Sequence, residues 1–367
     1  MRTLRWELFS FSLPFKKPLR LKGYNIYERK GLIIRLYSLD ILSNEIFGEG
    51  EIIPFPGLHS ESLNLAEKQI RSYLSFEHGA SSRSIHSLYP SVRFGLDMAE
   101  RTLFNNLKKF FKNSSSTEEI RTYDNSKKKI KIPVNGLITS LGSEFEKECK
   151  QLLDQGFQAV KIKVGQLEIK EDLKRVKLAR KILGDKIELR LDANRSWNWD
   201  QALNFLSSIK EDKIHYCEEP LRDITKIEKL YDETKIPLAL DETIWEKSNP
   251  KNLPKEGIKA YILKPCLLGG WYNTKLWIDF AEIEDIQVIL SSSFETGLGL
   301  NWNAYLSANL IKKQLPSGLD TVKWFKHDII DPPFEIKNGF YVFPDSWPEA
   351  KNNYLKFLDK GTFLTSF

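Results

Sequence analysis

The sequence contains few cysteines, and those it has show no paired spacing. Only three are present, at positions 149, 217 and 266. An odd number without a pairing pattern argues against a disulfide framework and against a cysteine-bound zinc site. It also favours a reducing compartment, because structural disulfides are characteristic of secreted proteins.

Long apolar runs are absent as well. No stretch approaches the roughly 18 consecutive apolar residues that a membrane-spanning helix needs. The first fifteen residues, MRTLRWELFSFSLPF, carry charge within their first seven positions and lack the continuous apolar centre of a signal peptide. We therefore expect a cytoplasmic protein that does not bind a membrane.

Positive charge is not concentrated in one place. The net charge of +6 is distributed over many lysines, and the nearest approach to a basic block is the group Lys127, Lys128, Lys129 and Lys131. A short lysine run of this kind is usually a solvated loop, and no basic strand with interleaved aromatic residues accompanies it. The sequence therefore does not predict nucleic-acid binding, and it leaves the oligomeric state open.

The chain length predicts two domains. At 367 residues the chain accommodates one barrel of roughly 200–250 residues and a second domain. Residues 1–125 contain three strand-like segments, WELFSFSL, GLIIRLYS and IFGEGEII, with Gly48 and Gly50 as a turn signal. Two amphipathic helices are predicted at 60–76, capped by Ser60, and at 91–111. We expect an α+β capping domain here, completed by the tail 325–367, with the polar stretch 113–129 as the link between domains.

Residues 126–324 alternate between short apolar strands and amphipathic helices. Seven strand-like segments (IPVNGL, AVKIKV, IELRLD, IHYCEE, IPLALDE, AYILKP and IQVILSS) are separated by helical segments such as 143–155, 169–183, 200–208 and 271–283. This alternation is typical of a parallel sheet, and seven or eight units indicate closure into a barrel. The predicted fold class is therefore α/β, a (β/α)8-type barrel in the modified (β/α)7β form. A short strand at 318–322 would close it.

Three carboxylates stand at the ends of successive predicted strands. Asp192 ends IELRLD, Glu218 follows IHYC, and Asp241 ends IPLALD. Polar groups at the carboxyl ends of barrel strands are typical of a catalytic face. Three oxygen ligands without histidine or cysteine suit Mg²⁺ or Mn²⁺ better than zinc. The alternative is that each carboxylate only caps the helix after it, which explains one such residue more easily than three in a row.

Lysines flank the carboxylates in the same pattern. Lys161 and Lys163 lie two residues apart on one strand, so their side chains share a face, and Lys264 follows AYIL on the opposite side of the barrel. Lysine is rare inside proteins, so an inward pair needs an explanation. With an ammonium group and a cation nearby, Lys163 is placed to serve as a base, and Lys264 as the opposing acid or base or as a charge that holds an anionic intermediate.

A further polar segment follows the last of the seven strands. Ser291-Ser292-Ser293 precede Phe294-Glu295-Thr296-Gly297-Leu298-Gly299, which opens a predicted helix. Hydroxyl groups and free backbone N–H groups at a helix start bind carboxylates, so this segment is a candidate substrate contact. A plain connector remains the alternative.

With the residues in this order, the chain resembles the enolase superfamily and its muconate-lactonizing-enzyme-like branch. Within that branch it looks like the o-succinylbenzoate synthases, the dehydratases of menaquinone biosynthesis. The matching segments run nearly from end to end: ERKGLIIRL, GEGEIIPFPG, HSESL, IPVNGLI, VKIKVG, LRLDANRSW, EEP, LALDET, ILKP, SSSFETGLGL and SGLDT. The resemblance implies a barrel enzyme with a capping domain and a divalent metal.

The resemblance also implies roles for individual residues. Asp192, Glu218 and Asp241 match the metal ligands, and Glu219 stands behind them. Lys163 matches the base that removes the proton α to the carboxylate of 2-succinyl-6-hydroxy-2,4-cyclohexadiene-1-carboxylate and returns it as hydroxide leaves in a syn elimination. The other matching positions are Lys264 (stabilising the enediolate), Lys161 (tuning Lys163), Arg190 and Asn194 (supporting the metal strand and substrate), Ser291 and Ser293 (lining the pocket), and the segments 16–29 and 55–57 (closing the site).

Two other functions are compatible with parts of this pattern. An N-succinylamino acid racemase or a dipeptide epimerase of the same branch would use both lysines with the same metal site. Dipeptide epimerases resemble one another in an Asp-x-Asp near the last strand, whereas this chain has Gly318-Leu319-Asp320-Thr321-Val322-Lys323. That difference disfavours the epimerase and leaves the racemase open. A barrel that only binds metal is the remaining alternative, and the complete acid–base set disfavours it.

Overall fold

The structure is a computed structural model that describes residues 2–21, 24–38, 46–75, 85–111, 130–247, 250–344 and 346–365. The predicted link at 113–129, with three of the four clustered lysines, lies outside these residues. The described part divides into an antiparallel sheet with two helices, a parallel barrel, and a tail that returns to the first sheet.

The N-terminal part consists of three antiparallel strands followed by two helices. The strands are β1 (Arg2–Leu21), β2 (Tyr24–Ser38) and β3 (Phe47–Ile52), and the helices are α1 (Leu63–Leu74) and α2 (Pro90–Phe111). Alternate residues of β2 face opposite sides, as strand geometry requires. Leu32 and Ile34 pack with the two helices, and Ile33 packs with the barrel core. The sheet is therefore buried on both faces.

Two details of this part differ from the sequence prediction. The side chain that caps α1 belongs to Ser62, which accepts a hydrogen bond from the backbone N–H of Leu65, and not to Ser60. Gly48 and Gly50 lie inside strand β3 and not in a turn. A Cβ atom at Gly48 would collide with the backbone of α2, so these glycines allow the helix to pack directly on the strand.

The barrel contains seven hydrogen-bonded parallel strands in sequential order. They are β5 (Gly136–Ile138), β6 (Ala159–Lys163), β7 (Glu188–Asp192), β8 (Ile214–Glu218), β9 (Leu238–Leu240), β10 (Ile258–Leu263) and β11 (Gln287–Leu290). The helices around them are α3 (Ser143–Asp154), α4 (Ile169–Leu183), α5 (Trp199–Ser207), α6 (Ile227–Thr234), α7 (Glu242–Glu246), α8 (Pro265–Leu268), α9 (Trp271–Ile283) and α10 (Gly297–Leu310). This arrangement confirms the predicted fold class.

The ring of strands is completed by a short bridge and not by a full strand at 318–322. Gly318 pairs in parallel with Ser291 after β11, and Ser317 pairs in parallel with Val134 before β5. Backbone hydrogen bonds run from Gly318 N–H to the Leu290 carbonyl and from Ser317 N–H to the Pro133 carbonyl. Two residues are enough to join both edges, and residues 322–324 already form a 3-10 turn.

The segment predicted as the first barrel strand contributes to two sheets. Its start, β4 (Lys131–Pro133), pairs antiparallel with β13 (Phe340–Val342), which in turn pairs with β12 (Ile336–Lys337). The last strand, β14 (Lys356–Thr365), lies antiparallel to β1 and extends the N-terminal sheet. The last strand of the tail therefore packs against the N-terminal part, whereas β12 and β13 pair with β4.

Carboxylates of the N-terminal part bind the starts of two barrel helices. Glu51 on β3 accepts hydrogen bonds from the backbone N–H groups of Thr296 (3.0 Å) and Gly299 (2.8 Å) at the start of α10. Asp97 on α2 accepts one from the N–H of Trp271 (2.6 Å) at the start of α9. A helix start carries partial positive charge and unpaired N–H donors, so these contacts hold the two parts together. No helix in the described ranges is long and apolar enough to cross a membrane.

The contact of Glu51 predicts a pH dependence of stability. Burial raises the pKa of Glu51 to about 7, although its hydrogen-bond donors act in the opposite direction. Because the folded protein binds this proton more tightly than the unfolded chain does, the corresponding stabilisation is present at low pH and is lost as pH rises through about 7. Wild-type stability relative to Glu51→Gln should therefore fall by on the order of 1 kcal/mol between about pH 5 and pH 7.5. Urea unfolding of both proteins across this range measures the difference, and a constant difference would contradict the assignment.

Candidate active site

The three predicted carboxylates meet at one edge of the barrel. Asp192 and Glu218 are the last residues of the adjacent strands β7 and β8 and are direct cross-strand partners. Asp241 follows β9 and precedes α7. All three side chains are almost completely buried. Since neighbouring strands lie about 4.8 Å apart, consecutive strand ends bring the carboxylates together without any help from loops.

The three predicted lysines lie against the carboxylates. Lys161 and Lys163 face the barrel interior, while the alternating Val160, Ile162 and Val164 pack with the surrounding helices. The Nζ atom of Lys161 is 3.1 Å from an oxygen of Glu218 and 3.5 Å from one of Asp192. Lys163 Nζ is 3.1 Å from Asp192, and Lys264 Nζ is 2.5 Å from Asp241 on the other side. Each carboxylate therefore has an ammonium partner.

Burial and charge act on these groups in opposite directions. Burial disfavours ionisation of Asp192, but the neighbouring ammonium groups of Lys163, Lys161 and Lys264 outweigh it and hold the pKa of that carboxyl well below its usual range. Burial, together with the charge of Asp192, raises the pKa of Glu218. Burial also disfavours the charged form of Lys161 and Lys264, yet the surrounding carboxylates raise the pKa of both lysines. Lys264 is therefore cationic at neutral pH.

The donor set fits a hard divalent cation by its chemistry. Within the described ranges no three acidic, histidine or cysteine side chains are already arranged to hold a metal ion. The lysines pair with the carboxylates instead. The Oδ1 atom of Asp241 is nevertheless buried and has no hydrogen-bond partner among the described residues. An unpaired buried carboxylate oxygen is costly, and a cation would satisfy it. Oxygen-only ligands suit Mg²⁺ and Mn²⁺.

Glu219 supports the backbone of the third strand end. One of its carboxylate oxygens accepts hydrogen bonds from the N–H groups of Asp241 (3.0 Å) and Thr243 (2.8 Å). The other accepts from Arg195 Nε at 2.8 Å. Glu219 has a positive φ of 43°, an uncommon conformation that these bonds maintain. The sequence indicated this supporting position for Glu219 and contained no signal for Arg195.

Asn194 joins the site through both ends of its amide. Its Oδ1 atom accepts a hydrogen bond from Lys163 Nζ, and its Nδ2 atom donates one to Glu242 Oε1 at 3.1 Å. Its backbone N–H donates to Asp192 Oδ1 at 3.2 Å. The sequence pattern indicated Asn194 but not Glu242, although Glu242 directly follows the predicted ligand Asp241.

Arg190 is not brought to the carboxylates. It lies on the inward face of β7, two residues before Asp192, and is fully buried. Its guanidinium donates to Glu188 Oε2 (2.7 Å), to the Pro316 carbonyl (2.6 Å) and to Asn135 Oδ1 (3.3 Å). These partners lie toward the opposite end of the strand, so the contacts of Arg190 bind the barrel interior together.

The start of α10 is not the free carboxylate-binding site that the sequence predicts. Its N–H groups are already bound by Glu51, as described above, and by Asp328, which accepts from the N–H of Gly297 at 2.9 Å. A Cβ atom at Gly297 would collide with Asp328, so the glycine admits this carboxylate. The N–H groups that were expected to bind substrate therefore donate to Glu51 and Asp328 of the protein itself.

The two candidate serines lie before this helix in different surroundings. The hydroxyl and backbone N–H of Ser293 both donate to Glu295, at 2.6 and 2.8 Å. Ser291 is buried beside Gly318, where the barrel closes. A contact between either serine and a substrate stays a prediction.

Arg29 fastens the N-terminal part to the loop that follows β11. This arginine is buried and donates to the carbonyl groups of Ile53 (2.8 Å), Pro54 (3.0 Å) and Phe294 (3.2 Å). It also lies over the ring of Phe55, with its guanidinium carbon 4.4 Å from the ring centroid. Burial lowers the pKa of Arg29 to about 10, so the side chain remains charged at neutral pH. The segments predicted to close the site are therefore anchored here.

We expect Arg29→Lys to lower the free energy of unfolding by about 2 kcal/mol. One ammonium group lacks the planar fork that reaches three carbonyl oxygens, and carbonyls left without a donor in a buried site are costly. Urea unfolding monitored by circular dichroism measures the change. Arg222→Lys, at an exposed position, is the matched control and should unfold like the wild type. Equal stability of Arg29→Lys and wild type would show that the fork is dispensable.

Comparison with known proteins agrees with this geometry. The family model described as "Enolase C-terminal domain-like" matches residues 144–347, and the one described as "MenC, N-terminal domain" matches residues 1–103. The o-succinylbenzoate synthase of Vibrio cholerae serotype O1 (strain M66-2) is 30% identical over 333 residues, which cover 89% of this chain and 91% of that protein.

Solved structures share the fold at lower identity. MenC from Desulfotalea psychrophila LSv54 has a TM-score of 0.69 at 21% identity, covering 93% of this chain and 99% of that chain. The L-Ala-D/L-Glu epimerase from Bacillus subtilis has a TM-score of 0.73 at 20% identity, covering 94% and 97%. Sequence and fold together show that the chain belongs to the enolase superfamily, within the family of the o-succinylbenzoate synthases.

Proposed function

We propose that the chain is an o-succinylbenzoate synthase, a hydro-lyase that converts 2-succinyl-6-hydroxy-2,4-cyclohexadiene-1-carboxylate to 2-succinylbenzoate by syn loss of water. Its place would be menaquinone biosynthesis, in the cytoplasm, with a small carboxylate as its partner. The observation that supports the chemistry most directly is the position of Lys163 and Lys264 on opposite sides of the buried carboxylates. The relatives described above support the choice of substrate.

The carboxylates would hold the metal. We assign Asp192, Glu218 and Asp241 as ligands of Mg²⁺ or Mn²⁺, which would supply positive charge for the substrate carboxylate as negative charge develops on it. The unpaired Oδ1 atom of Asp241 and the oxygen-only donor set support this assignment. Glu219 would keep Asp241 in place through the backbone N–H that it accepts.

The lysines would carry the proton chemistry. Lys163, in its neutral form, would remove the proton α to the carboxylate and then deliver it to the departing hydroxide on the same face. One base is sufficient for a syn elimination, since the leaving group and the proton lie on one side of the ring. Lys161 would add positive charge beside Lys163. Lys264 stays cationic because its carboxylate neighbours raise its pKa, which suits it to stabilise the enediolate from the opposite side.

The racemase and epimerase alternatives have less support. Both need a second lysine that exchanges a proton with substrate, and the geometry of Lys264 permits that. An epimerase of this branch would also bind the substrate amine with two acids near the last strand. Here Asp320 is followed two residues later by Val322, and Asp320 is paired with Lys323. The second acid is missing, which disfavours a dipeptide substrate.

Disappearance of the ultraviolet absorbance of the cyclohexadiene substrate tests the proposed function. Purified protein with Mg²⁺ should remove this absorbance at an ordinary enzymatic rate, and a sample treated with EDTA should not. Restoring Mg²⁺ or Mn²⁺ to the treated sample should restore activity. If folded, metal-loaded protein leaves the absorbance unchanged, the synthase assignment is wrong. N-succinylamino acids in deuterated water, with α-deuteration as the readout, are then the next substrates.

Lys163→Ala should abolish dehydration and leave metal affinity nearly unchanged. The reason is that the lysine transfers the proton and is not a ligand, so we expect kcat to fall by a factor of about 10³ or more. Stopped assays measure turnover, and calorimetric titration with Mg²⁺ measures affinity. Lys174→Ala on α4, where the lysine is exposed and pairs only with Glu171 in the described contacts, should retain full activity. Near-normal turnover of Lys163→Ala would refute the assignment of the base.

A further inference from the structure

Asn194 links the base to a carboxylate that the mechanism above does not use. Its Oδ1 atom faces Lys163 Nζ and its Nδ2 atom faces Glu242 Oε1. The backbone at Asn194 has a φ of 44°, which places it in the left-handed region that asparagine tolerates better than most residues. The side chain is thereby directed between strand β7 and helix α7.

Glu242 makes few other hydrogen bonds within the described residues. It is the first residue of α7, its side chain is largely buried, and Asn194 provides the hydrogen bond described for its Oε1 atom. Its second oxygen, Oε2, is buried and has no hydrogen-bond partner among the described residues. A buried carboxylate with one oxygen unpaired is costly, so its placement next to Asn194 calls for a reason beyond stability.

The chemistry of the two neighbours decides how the amide is oriented. A carboxylate only accepts hydrogen bonds, whereas the amino group of Lys163 can donate one to the amide oxygen with or without its additional proton. The amide therefore turns its NH₂ group toward Glu242 and its carbonyl oxygen toward Lys163. The reverse orientation would place two oxygens against each other at Glu242 and two donors against each other at Lys163.

We infer that Glu242 is a positioning residue for the reaction: by fixing the amide of Asn194, it keeps an acceptor in front of Lys163 and so holds the base in one place. This inference rests on the proposed function, in which Lys163 removes the α-proton. Without Glu242 the amide can turn over, and Lys163 then loses the acceptor at Asn194. Among the described contacts it keeps only the one with Asp192, so the base is held less firmly. Misplacing a catalytic group slows the chemical step and leaves binding of the substrate unaffected.

A double-mutant cycle between the two residues provides the test. Glu242→Leu should lower kcat about 10- to 100-fold with KM and Mg²⁺ affinity unchanged, since the cost of misplacement is borne by proton transfer. Glu242→Gln should lose only about threefold, because its amide oxygen still accepts from Asn194 Nδ2. The variant Asn194→Ala/Glu242→Leu should be no slower than Asn194→Ala alone, since Glu242 acts through Asn194. Glu233→Leu, at an exposed position on α6, is the control and should behave like the wild type.

Three outcomes would overturn the inference. Additive losses in the double variant would show that Glu242 acts independently of Asn194. A fall in Mg²⁺ affinity that parallels the fall in kcat would make Glu242 a metal ligand. Equal losses in Glu242→Gln and Glu242→Leu would show that accepting a hydrogen bond is not its role. If Glu242→Leu does not fold, the same cycle is carried out with Glu242→Gln, whose smaller loss should likewise vanish in the Asn194→Ala background.

A substrate-free measurement separates this inference from the proposed function. A crystal structure of Glu242→Leu should show Lys163 Nζ beyond hydrogen-bond distance of Asn194 Oδ1, whereas Glu242→Gln should keep that contact. This contact is measured without substrate, so the result does not depend on which substrate the enzyme converts. Failure of the wild type to dehydrate the cyclohexadiene substrate would contradict the proposed function alone. An unchanged Lys163–Asn194 contact in Glu242→Leu would contradict the inference about Glu242 alone.

Discussion

The buried ring of carboxylates at the ends of β7, β8 and β9 is the constraint on which the rest of the site depends. Three acids on adjacent strands repel one another, and burial removes the water that would screen them. The fold compensates with ammonium groups from β6 and from the end of β10, which contact the acids at 2.5–3.5 Å. The lysines of the proposed proton chemistry are thus also the groups that offset the repulsion among the three carboxylates.

The same principle operates one layer further out. Glu219 is paired with Arg195 and holds backbone N–H groups beside Asp241, and Asn194 holds Lys163. Each charged group near the ring is positioned by a partner of opposite charge or by a dipole. Such partners hold the side chains that they contact in one arrangement. The arrangement of the carboxylates and lysines therefore also depends on hydrogen bonds made by the side chains around them.

The N-terminal part participates in this arrangement through helix starts and one arginine. Glu51 and Asp97 bind the first turns of α10 and α9, and Arg29 holds the carbonyl of Phe294. These contacts connect the N-terminal part to helices α9 and α10 and to the loop after β11. The N-terminal part and that loop are therefore held together. That loop precedes α10, whose donors are consequently unavailable to substrate. The division into domains at residue 125 and at residue 324 remains a proposal.

The sequence alone determined the alternation of strands and helices and the residues at the strand ends, because strand period and unit length are local properties of the chain. It therefore located the three acids and three lysines in advance. Only the tertiary structure decided which hydrogen-bond donors are already paired within the protein, and with which acceptors. Glu51 lies 245 residues from Thr296, and Arg29 lies 265 residues from Phe294, so no local pattern connects them. For the same reason the sequence predicted a turn at Gly48, whereas in the structure α2 packs directly on the strand that contains it. The hydrogen-bond partners of Arg190 include the distant Pro316 carbonyl, which no local pattern indicates. Hydrogen-bond partners that distant segments supply are a property of the closed fold, and only the folded molecule shows them.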